Sequence, residues 1–276
     1  MTRICLAGDG WGAISAFKSL QRDYPTLYVA TSDEELARQL RDQDFRVRSF
    51  EEQQFDVIVC AGYKPIVPSH VLKKNTVLNI HYSLLPKYRG MHSVVWAILN
   101  GEDKLGLTIH EMNEFIDDGD IVYQHSFNYK EQTATEVMKY CNDHVEKCLS
   151  SVIGKYLKNE IIPTKQDKCL ASWVCKRNLA DCQLDFSWTI EQIHRYFKAL
   201  SHPYPRPFFY YKNHKLSIEK MKLVENNTVM TQGRVVNIDN EGIWIQVSGG
   251  YLIASVIVDE NEKIFDSREI KIGCRL

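Results

Sequence analysis

Several features that would assign this sequence to a class at once are missing. Its 276 residues contain no apolar run of membrane-spanning length, so we expect no membrane partner. Lys+Arg 34 nearly balance Asp+Glu 35, which leaves a net charge of −1. Proteins that hold RNA usually carry a basic stripe or a high pI, so we also expect no nucleic-acid partner. The eight cysteines form no C-x-x-C pair, which favours reduced thiols in a cytoplasmic protein over disulfides or a zinc site.

Short apolar runs alternate with helical patterns in the first two thirds of the chain. Residues 3–7, 27–30 and 55–60 have the composition of buried strands, and amphipathic segments lie between them. This alternation predicts an α/β fold, a Rossmann-like and mostly parallel sheet with helices on both faces. From Phe208 onward, five short apolar runs separated by Asn/Gly turns predict a small barrel or sandwich. We place the domain boundary between residues 1–185 and 186–276.

The most informative segment follows the predicted strand at residues 77–80. Asn79 and His81 are two residues apart, so on an extended chain their side chains point to the same side, where the strand ends. A carboxylate-rich turn, Phe115–Asp120, comes later in the chain. A single His near a strand end is usually a hydrogen-bonded structural residue, and a single Asp such as Asp117 often caps a turn. The combination points instead to a reactive site.

Four motifs occur in a fixed order around these residues: Asn79-Ile80-His81, the loop Ser83–Pro86, the strand Gly106–Ile109 and the turn Asp117–Asp120. This order resembles the formyltransferase superfamily that uses N10-formyltetrahydrofolate. The resemblance implies an open-barrel-like C-terminal subdomain, N10-formyltetrahydrofolate as co-substrate and no metal. It also implies that Asn79, His81 and Asp117 are catalytic. Asp118 is a departure, since many relatives carry Thr there.

The proposed reaction explains why these residue types are needed. When an amine attacks the formyl carbon, the tetrahedral intermediate carries an oxyanion, which the Asn79 side-chain NH2 can stabilise. The amine loses a proton and the folate nitrogen gains one, and an imidazole such as His81 titrates in the required range. Asp117 would orient that ring and stabilise its charged form.

Loops at the ends of other strands are candidate binding segments, because such ends share one edge of the sheet. We expect folate contacts from Gly62, Tyr63, Lys64, Phe115 and Asp120. The loop Gly8–Gly12 could contact a pyrophosphate or be a plain tight turn; its G-x-G-x-G spacing is not the dinucleotide pattern. The full set of expected substrate contacts is Gly10, Trp11, Tyr82, Arg89, Tyr204, Arg206 and Phe209.

Residues 82–98 resemble the sugar N-formyltransferases, which act on dTDP-linked amino-dideoxy sugars for surface polysaccharide such as O-antigen. We therefore expect a nucleotide-linked amino sugar as substrate, dTDP-4-amino-4,6-dideoxyglucose first, and a homodimer. A dTDP-3-amino-3,6-dideoxyhexose and GDP-perosamine remain open. Methionyl-tRNA, glycinamide ribonucleotide and water are alternative acceptors within the superfamily. An oxidoreductase and a non-catalytic binding module are alternatives outside it, but the second strand ends in Ala30-Thr31-Ser32 without an acid to hold a ribose.

Overall fold

A computed structural model describes residues 2–51, 53–200, 202 and 204–276. It confirms the predicted class, an α/β sheet domain with a β-rich C-terminal part. In the first 176 residues the strands are β1 (Ile4–Ala7), β2 (Leu27–Ala30), β3 (Phe45–Arg46), β4 (Val57–Ala61), β5 (Val77–His81), β6 (Arg89–Gly90), β7 (Lys104–Glu111), β8 (Ile121–Asn128) and β9 (Trp173–Val174).

Seven of these strands form one sheet in the order β3-β2-β1-β4-β5-β7-β8. The strands from β3 to β5 in this order are parallel, whereas β7 is antiparallel to both β5 and β8. Every residue of β1 and β4 is buried, which explains their continuous apolar sequences. Because β2 and β4 lie on opposite sides of β1, the loops at the carboxyl edge diverge there and open a crevice.

Six helices accompany the strands in the described part of the chain. They are α1 (Gly10–Leu20), α2 (Glu34–Arg38), α3 (Ser69–Leu72), α4 (Ser93–Leu99), α5 (Ala134–Leu157) and α6 (Ile190–Ala199). The 3.6-residue apolar period of α5 predicts its buried face, and Cys141, Val145 and Leu149 have no exposed surface. Helix α6 begins with a capping box, in which Thr189 and Gln192 satisfy each other's backbone N–H groups.

The second sheet is antiparallel and has five strands in the order β10-β11-β14-β13-β12. All five apolar runs in the sequence become strands of this sheet. They are β10 (Phe208–Tyr211), β11 (His214–Glu225), β12 (Val235–Asp239), β13 (Gly242–Val247) and β14 (Gly250–Val258).

The chain divides into two compact units. The first contains Met1–Val94, Asp103–Tyr129 and Glu136–Cys175, and the second contains Val95–Glu102, Lys130–Thr135 and Lys176–Leu276. The predicted boundary between residues 185 and 186 stays a prediction. All eight cysteines are free thiols, and four of them are buried: Cys5, Cys60, Cys141 and Cys182.

Candidate active site

Asn79 and His81 lie at the carboxyl end of β5, as their spacing predicts. They pair in register with His110 and Thr108 of the antiparallel strand β7. His81 is 7% exposed, so its imidazole is largely shielded from water. The antiparallel neighbour therefore brings a second histidine, His110, beside Asn79.

The turn between β7 and β8 brings Asp117 to the same place. Its Oδ1 accepts a hydrogen bond from Asn79 Nδ2 (3.3 Å), and its Oδ2 lies 3.4 Å from His81 Nδ1. The N–H of Gly90 also donates to Oδ2 (2.8 Å). Asn79 and His81 thus both lie next to the carboxylate of Asp117, and the three residues predicted to be catalytic meet at one site.

The environment of His81 determines which nitrogen can take a proton. Its Nε2 lies 2.8 Å from the carbonyl oxygen of Tyr88, which can only accept, so this nitrogen carries the hydrogen. Burial lowers the pKa of His81 below its ordinary value, while the Asp117 carboxylate and the Tyr88 carbonyl act in the opposite direction. Nδ1 of the neutral ring is then the nitrogen that can accept a proton, and the nearby Asp117 carboxylate can stabilise the resulting imidazolium.

His110 is the site residue that the sequence reasoning missed. Its Nε2 lies 3.2 Å from Asn79 Nδ2 and 3.3 Å from Asp117 Oδ1, and its Nδ1 lies 2.7 Å from the carbonyl of Glu111. Burial would raise the pKa of Asp117, but the hydrogen bond with His110 and the charges of both histidines outweigh it and hold the pKa at about 2. His110 lies in β7, directly after the motif residues Gly106–Ile109, and only the β5–β7 register identifies it as a site residue.

The backbone around the carboxylate is strained. Tyr88, His92 and Asp117 have φ values of 60°, 61° and 50°, in the left-handed region that non-glycine residues rarely adopt. Gly119 has no room for a side chain, because an added Cβ would lie 1.8 Å from the carbonyl oxygen of Glu111. The turn that presents Asp117 is therefore closely fitted beneath the end of β7.

Two of the five residues predicted to contact folate, Tyr63 and Phe115, line pockets. Tyr63 lines a pocket of about 730 Å³ together with residues that follow β1, β2 and β3, among them Asp9, Thr31 and Val47. Phe115 is 71% exposed and lines a pocket of about 500 Å³ next to the turn that carries Asp117, together with Asp118 and Trp173. Of the remaining three, Gly62 and Lys64 are exposed in the loop after β4, and Asp120 is half-buried.

The Gly8–Gly12 loop differs from a phosphate loop in one respect. The N–H of Gly10 donates to Asp33 Oδ2 (2.9 Å), so a carboxylate of the protein already occupies the start of α1. The same Asp33 caps α2 through the N–H groups of Glu35 and Leu36. A phosphate would meet this negative charge, and the structure therefore argues against Gly10 as a pyrophosphate contact. Trp11 is exposed at the first turn of α1.

Two of the expected substrate contacts in the first unit are engaged within the protein. The Tyr82 hydroxyl donates to Asn142 Oδ1 (2.6 Å) and lies close to Gly12, so it points toward α5 and α1. Arg89 is 3% exposed, and its guanidinium contacts Gln166 and Asp118.

The expected contacts in the second unit differ among themselves. Phe209 is buried and its ring centroid lies 5.9 Å from that of Phe186, so the structure argues against stacking on a base. Its neighbour Phe208 is buried as well, so both faces of β10 are covered at this position. Arg206 is partly exposed and forms an ion pair with Glu262. Tyr204 is half-buried. The contacts expected from Tyr204 and Arg206 stay predictions.

Two features are absent from the described residues. No helix there is long and apolar enough to cross a membrane. Within residues 2–51, 53–200, 202 and 204–276, no three His, Cys, Asp or Glu side chains are grouped so as to hold a metal ion.

Comparison with known proteins identifies the family. Residues 6–153 match the family described as formyl transferase, and residues 177–275 match the formyl transferase C-terminal domain. A methionyl-tRNA formyltransferase of Clostridium novyi is 31% identical over 224 residues, which cover 79% of this chain and 71% of that protein.

Two solved structures share the fold. One is the N-formyltransferase of Helicobacter canadensis, solved with folinic acid and dTDP-3-aminofucose (TM-score 0.72, 19% identity, 96% of this chain and 100% of that chain). The other is HypX of Aquifex aeolicus with tetrahydrofolic acid (TM-score 0.69, 18% identity); the match covers 97% of this chain but spans only 46% of HypX. Together with the sequence matches, these findings show that the chain is a formyl-transferring enzyme and belongs to the formyl transferase family.

Proposed function

We propose that this enzyme transfers the formyl group of N10-formyltetrahydrofolate to the amino group of a nucleotide-linked amino sugar. The observation that carries the proposal is that the Asp117 carboxylate lies next to both Asn79 and His81 at the end of β5. Support for the donor and the acceptor comes from the Helicobacter canadensis relative, which was solved with a folate and an amino-sugar nucleotide.

In the proposed reaction the sugar amine attacks the formyl carbon, and the new C–N bond forms as the carbonyl oxygen becomes an oxyanion. Asn79 Nδ2 is the donor for this oxyanion. Its present hydrogen-bonding distances of 3.2 and 3.3 Å are long, so the amide can turn toward a stronger acceptor. A water-shielded site makes such a bond worth more than it would be in solution.

The proton balance is assigned to His81. Its Nδ1 receives the proton that the attacking amine loses, and Asp117 stabilises the imidazolium across 3.4 Å. The same proton then passes to N10 of the folate as the C–N10 bond breaks, so His81 and Asp117 return to their starting states.

Among acceptors we propose dTDP-4-amino-4,6-dideoxyglucose first, on the basis of the segment Tyr82–Ile98. The 3-amino isomer has direct support from the relative solved with dTDP-3-aminofucose. GDP-perosamine is a third acceptor of the same class. We also propose that the enzyme assembles as a homodimer, which light scattering of the purified protein would test.

Initiator methionyl-tRNA is the second candidate acceptor, because the Clostridium novyi relative at 31% identity is a methionyl-tRNA formyltransferase. The charge distribution favours the sugar. The net charge is −1. The start of α2 also presents Asp33, Glu34 and Glu35 at the carboxyl edge of the sheet. Glu34 is paired with Arg46, and the other two carboxylates would repel a polyanion.

The deciding experiment compares kcat/KM for the three nucleotide sugars and charged initiator tRNA, with N10-formyltetrahydrofolate as donor and tetrahydrofolate release as the readout. We expect one of the sugars to be the best acceptor by at least about tenfold, the factor that a 1.4 kcal/mol preference gives. Efficient formylation of the tRNA with no activity on any sugar would replace the proposal with the tRNA function. Release of tetrahydrofolate from N10-formyltetrahydrofolate in the absence of any amine acceptor would indicate a deformylase.

A further inference from the structure

The turn that carries Asp117 is held by a buried glutamine that lies outside the family motifs discussed above. Gln166 is 8% exposed, and its Nε2 donates to the carbonyl oxygens of Asp117 (2.8 Å) and Gly119 (2.7 Å). Both amide hydrogens are therefore used to close the turn from beneath. Because Asp117 has the strained φ of 50°, the turn needs such external bonds to keep its shape.

Gln166 is in turn fixed by Arg89. Its Oε1 accepts hydrogen bonds from Arg89 Nη2 (2.7 Å) and Nε (3.2 Å), while Nη1 of the same guanidinium donates to Asp118 Oδ1 (2.6 Å). The backbone of Arg89 is anchored as well, because its N–H donates to the carbonyl oxygen of Ser172 (2.8 Å). The planar fork of an arginine suits this double contact, and a lysine could not reproduce it.

We propose that Gln166 and Arg89 are positioning residues that hold the Asp117 carboxylate against His81. The inference rests on the proposed function, since it assigns them to the same reaction. Neither side chain needs to touch a substrate. Their contribution is to keep Oδ2 of Asp117 at 3.4 Å from His81 Nδ1 while the imidazole gains and loses a proton.

The position of this carboxylate affects both rate and proton affinity. The titratable groups that face His81 are Asp117, which raises its pKa, and His110, which lowers it; the carbonyl of Tyr88 binds the other ring nitrogen. If the turn relaxes, Asp117 withdraws while His110 stays on β7. The pKa of His81 then falls, because the effect of the Asp117 carboxylate is lost while the effects of burial and of His110 remain.

The test is Gln166→Met, which keeps the side-chain length and removes both donors. We expect kcat to fall by about 10- to 100-fold, the usual effect of a small misplacement of a catalytic group. The KM values of both substrates should change by less than about threefold, because the lost interaction acts in the transition state. The acid limb of the kcat/KM profile should move to lower pH by about 0.5–1 unit.

A matched control is Gln246→Met in the second unit. Gln246 is also buried, and its Nε2 also donates to backbone carbonyls, those of Val247 (2.9 Å) and Gly250 (3.2 Å). This variant should lose stability to a similar extent and keep the kcat and the pH profile of the unmodified enzyme. Arg89→Lys is the second test variant. It retains a positive charge opposite Asp118 but loses the paired hydrogen bonds to Gln166 Oε1. It replaces Gln166→Met as the test if that variant does not fold.

A readout without substrates separates this inference from the proposed function. The imidazole resonances of His81, assigned by their loss in His81→Asn, are titrated by NMR in the unmodified enzyme, Gln166→Met and Arg89→Lys. A lowered His81 pKa in either test variant supports the positioning role even if the acceptor proves to be another amine. An unshifted titration together with kcat within twofold of the unmodified enzyme would overturn it, and a Tm decrease alone would indicate only a structural role.

Discussion

At the scale of single residues, the structure brings together Asn79, His81 and Asp117, whose catalytic role stays a prediction. Strand alternation predicts that the first two share a side, and the structure brings the third to them. His110 and Gln166 were missed for a physical reason. His110 reaches the site through the register of the antiparallel pair β5–β7. Gln166 reaches it through hydrogen bonds to a turn 47–49 residues earlier in the chain. Neither contact leaves a local pattern in the sequence.

The first residue-scale prediction concerns His81. Replacing it with Asn keeps a polar group in the buried site but removes the base. We expect turnover to fall by about 10²–10⁴-fold, the usual contribution of a general acid–base residue. Steady-state kinetics with the best acceptor measure this, and circular dichroism confirms the fold. Near-normal turnover in a folded variant would remove His81 from the mechanism.

The second concerns the pH dependence of stability and follows from the pKa of Asp117, which is held at about 2. The folded-state pKa lies below the unfolded value of about 3.9, so the carboxylate stabilises the protein above pH 4 and this contribution is lost as the pH falls toward 2. Because Asp117 is largely buried, the contribution is on the order of 2 kcal/mol.

Urea unfolding at pH 7 and at pH 3 measures that contribution. The loss of unfolding free energy on acidification should be smaller in Asp117→Asn than in the unmodified protein, because the variant has no carboxylate to protonate. Equal losses in the two proteins would show that Asp117 does not have a depressed pKa.

At the scale of elements, the periodic patterns were sufficient for strands and helices but not for loops. The apolar run at residues 208–211 became β10, and that at 242–247 became β13. The glycine pattern at Gly8–Gly12 left two interpretations open, a pyrophosphate contact and a plain tight turn. In the structure the N–H of Gly10 in this loop donates to the Asp33 carboxylate. The two residues are 23 positions apart, so no local sequence pattern indicates this contact.

The element-scale prediction concerns the turn between β7 and β8. In Gly119→Ala the new methyl group would lie 1.8 Å from the carbonyl oxygen of Glu111, so the backbone must move. We expect the free energy of unfolding to fall by about 1–3 kcal/mol, as for other overpacked sites, and turnover to fall as Asp117 is displaced.

Gly154→Ala in α5 is the control for that substitution, because its Cβ would meet only Tyr24 Oη at 3.6 Å. Here we expect a gain of about 0.5–1 kcal/mol, since alanine is the better helix former, and unchanged turnover. Denaturant unfolding and kinetics on both variants check the pair. A tolerated Gly119→Ala would show that the turn is more adaptable than its contacts indicate.

At the scale of the whole molecule, the alternation of strands and helices predicted a mostly parallel sheet, which the structure confirms. The antiparallel placement of β7 was not predicted, because strand direction depends on how the chain returns to the sheet rather than on composition. The compact units also join segments distant in sequence: Val95–Glu102 and Lys130–Thr135 belong with Lys176–Leu276. Contacts between such distant segments leave no signal in the local composition of the sequence.

The last prediction follows from the charge of the whole chain, which is −1. A nucleotide sugar brings only two phosphates, so kcat/KM for the preferred sugar should fall by no more than about tenfold between 50 and 200 mM salt. An acceptor held through six to ten phosphate contacts would lose about 10³–10⁵ in affinity over the same range. The measurement is a salt series of kcat/KM for the best sugar and for initiator tRNA, with the donor saturating. A steep slope for tRNA at substantial activity would mean that basic side chains gather along a polyanion despite the balanced total charge, and it would favour the tRNA function over the sugar.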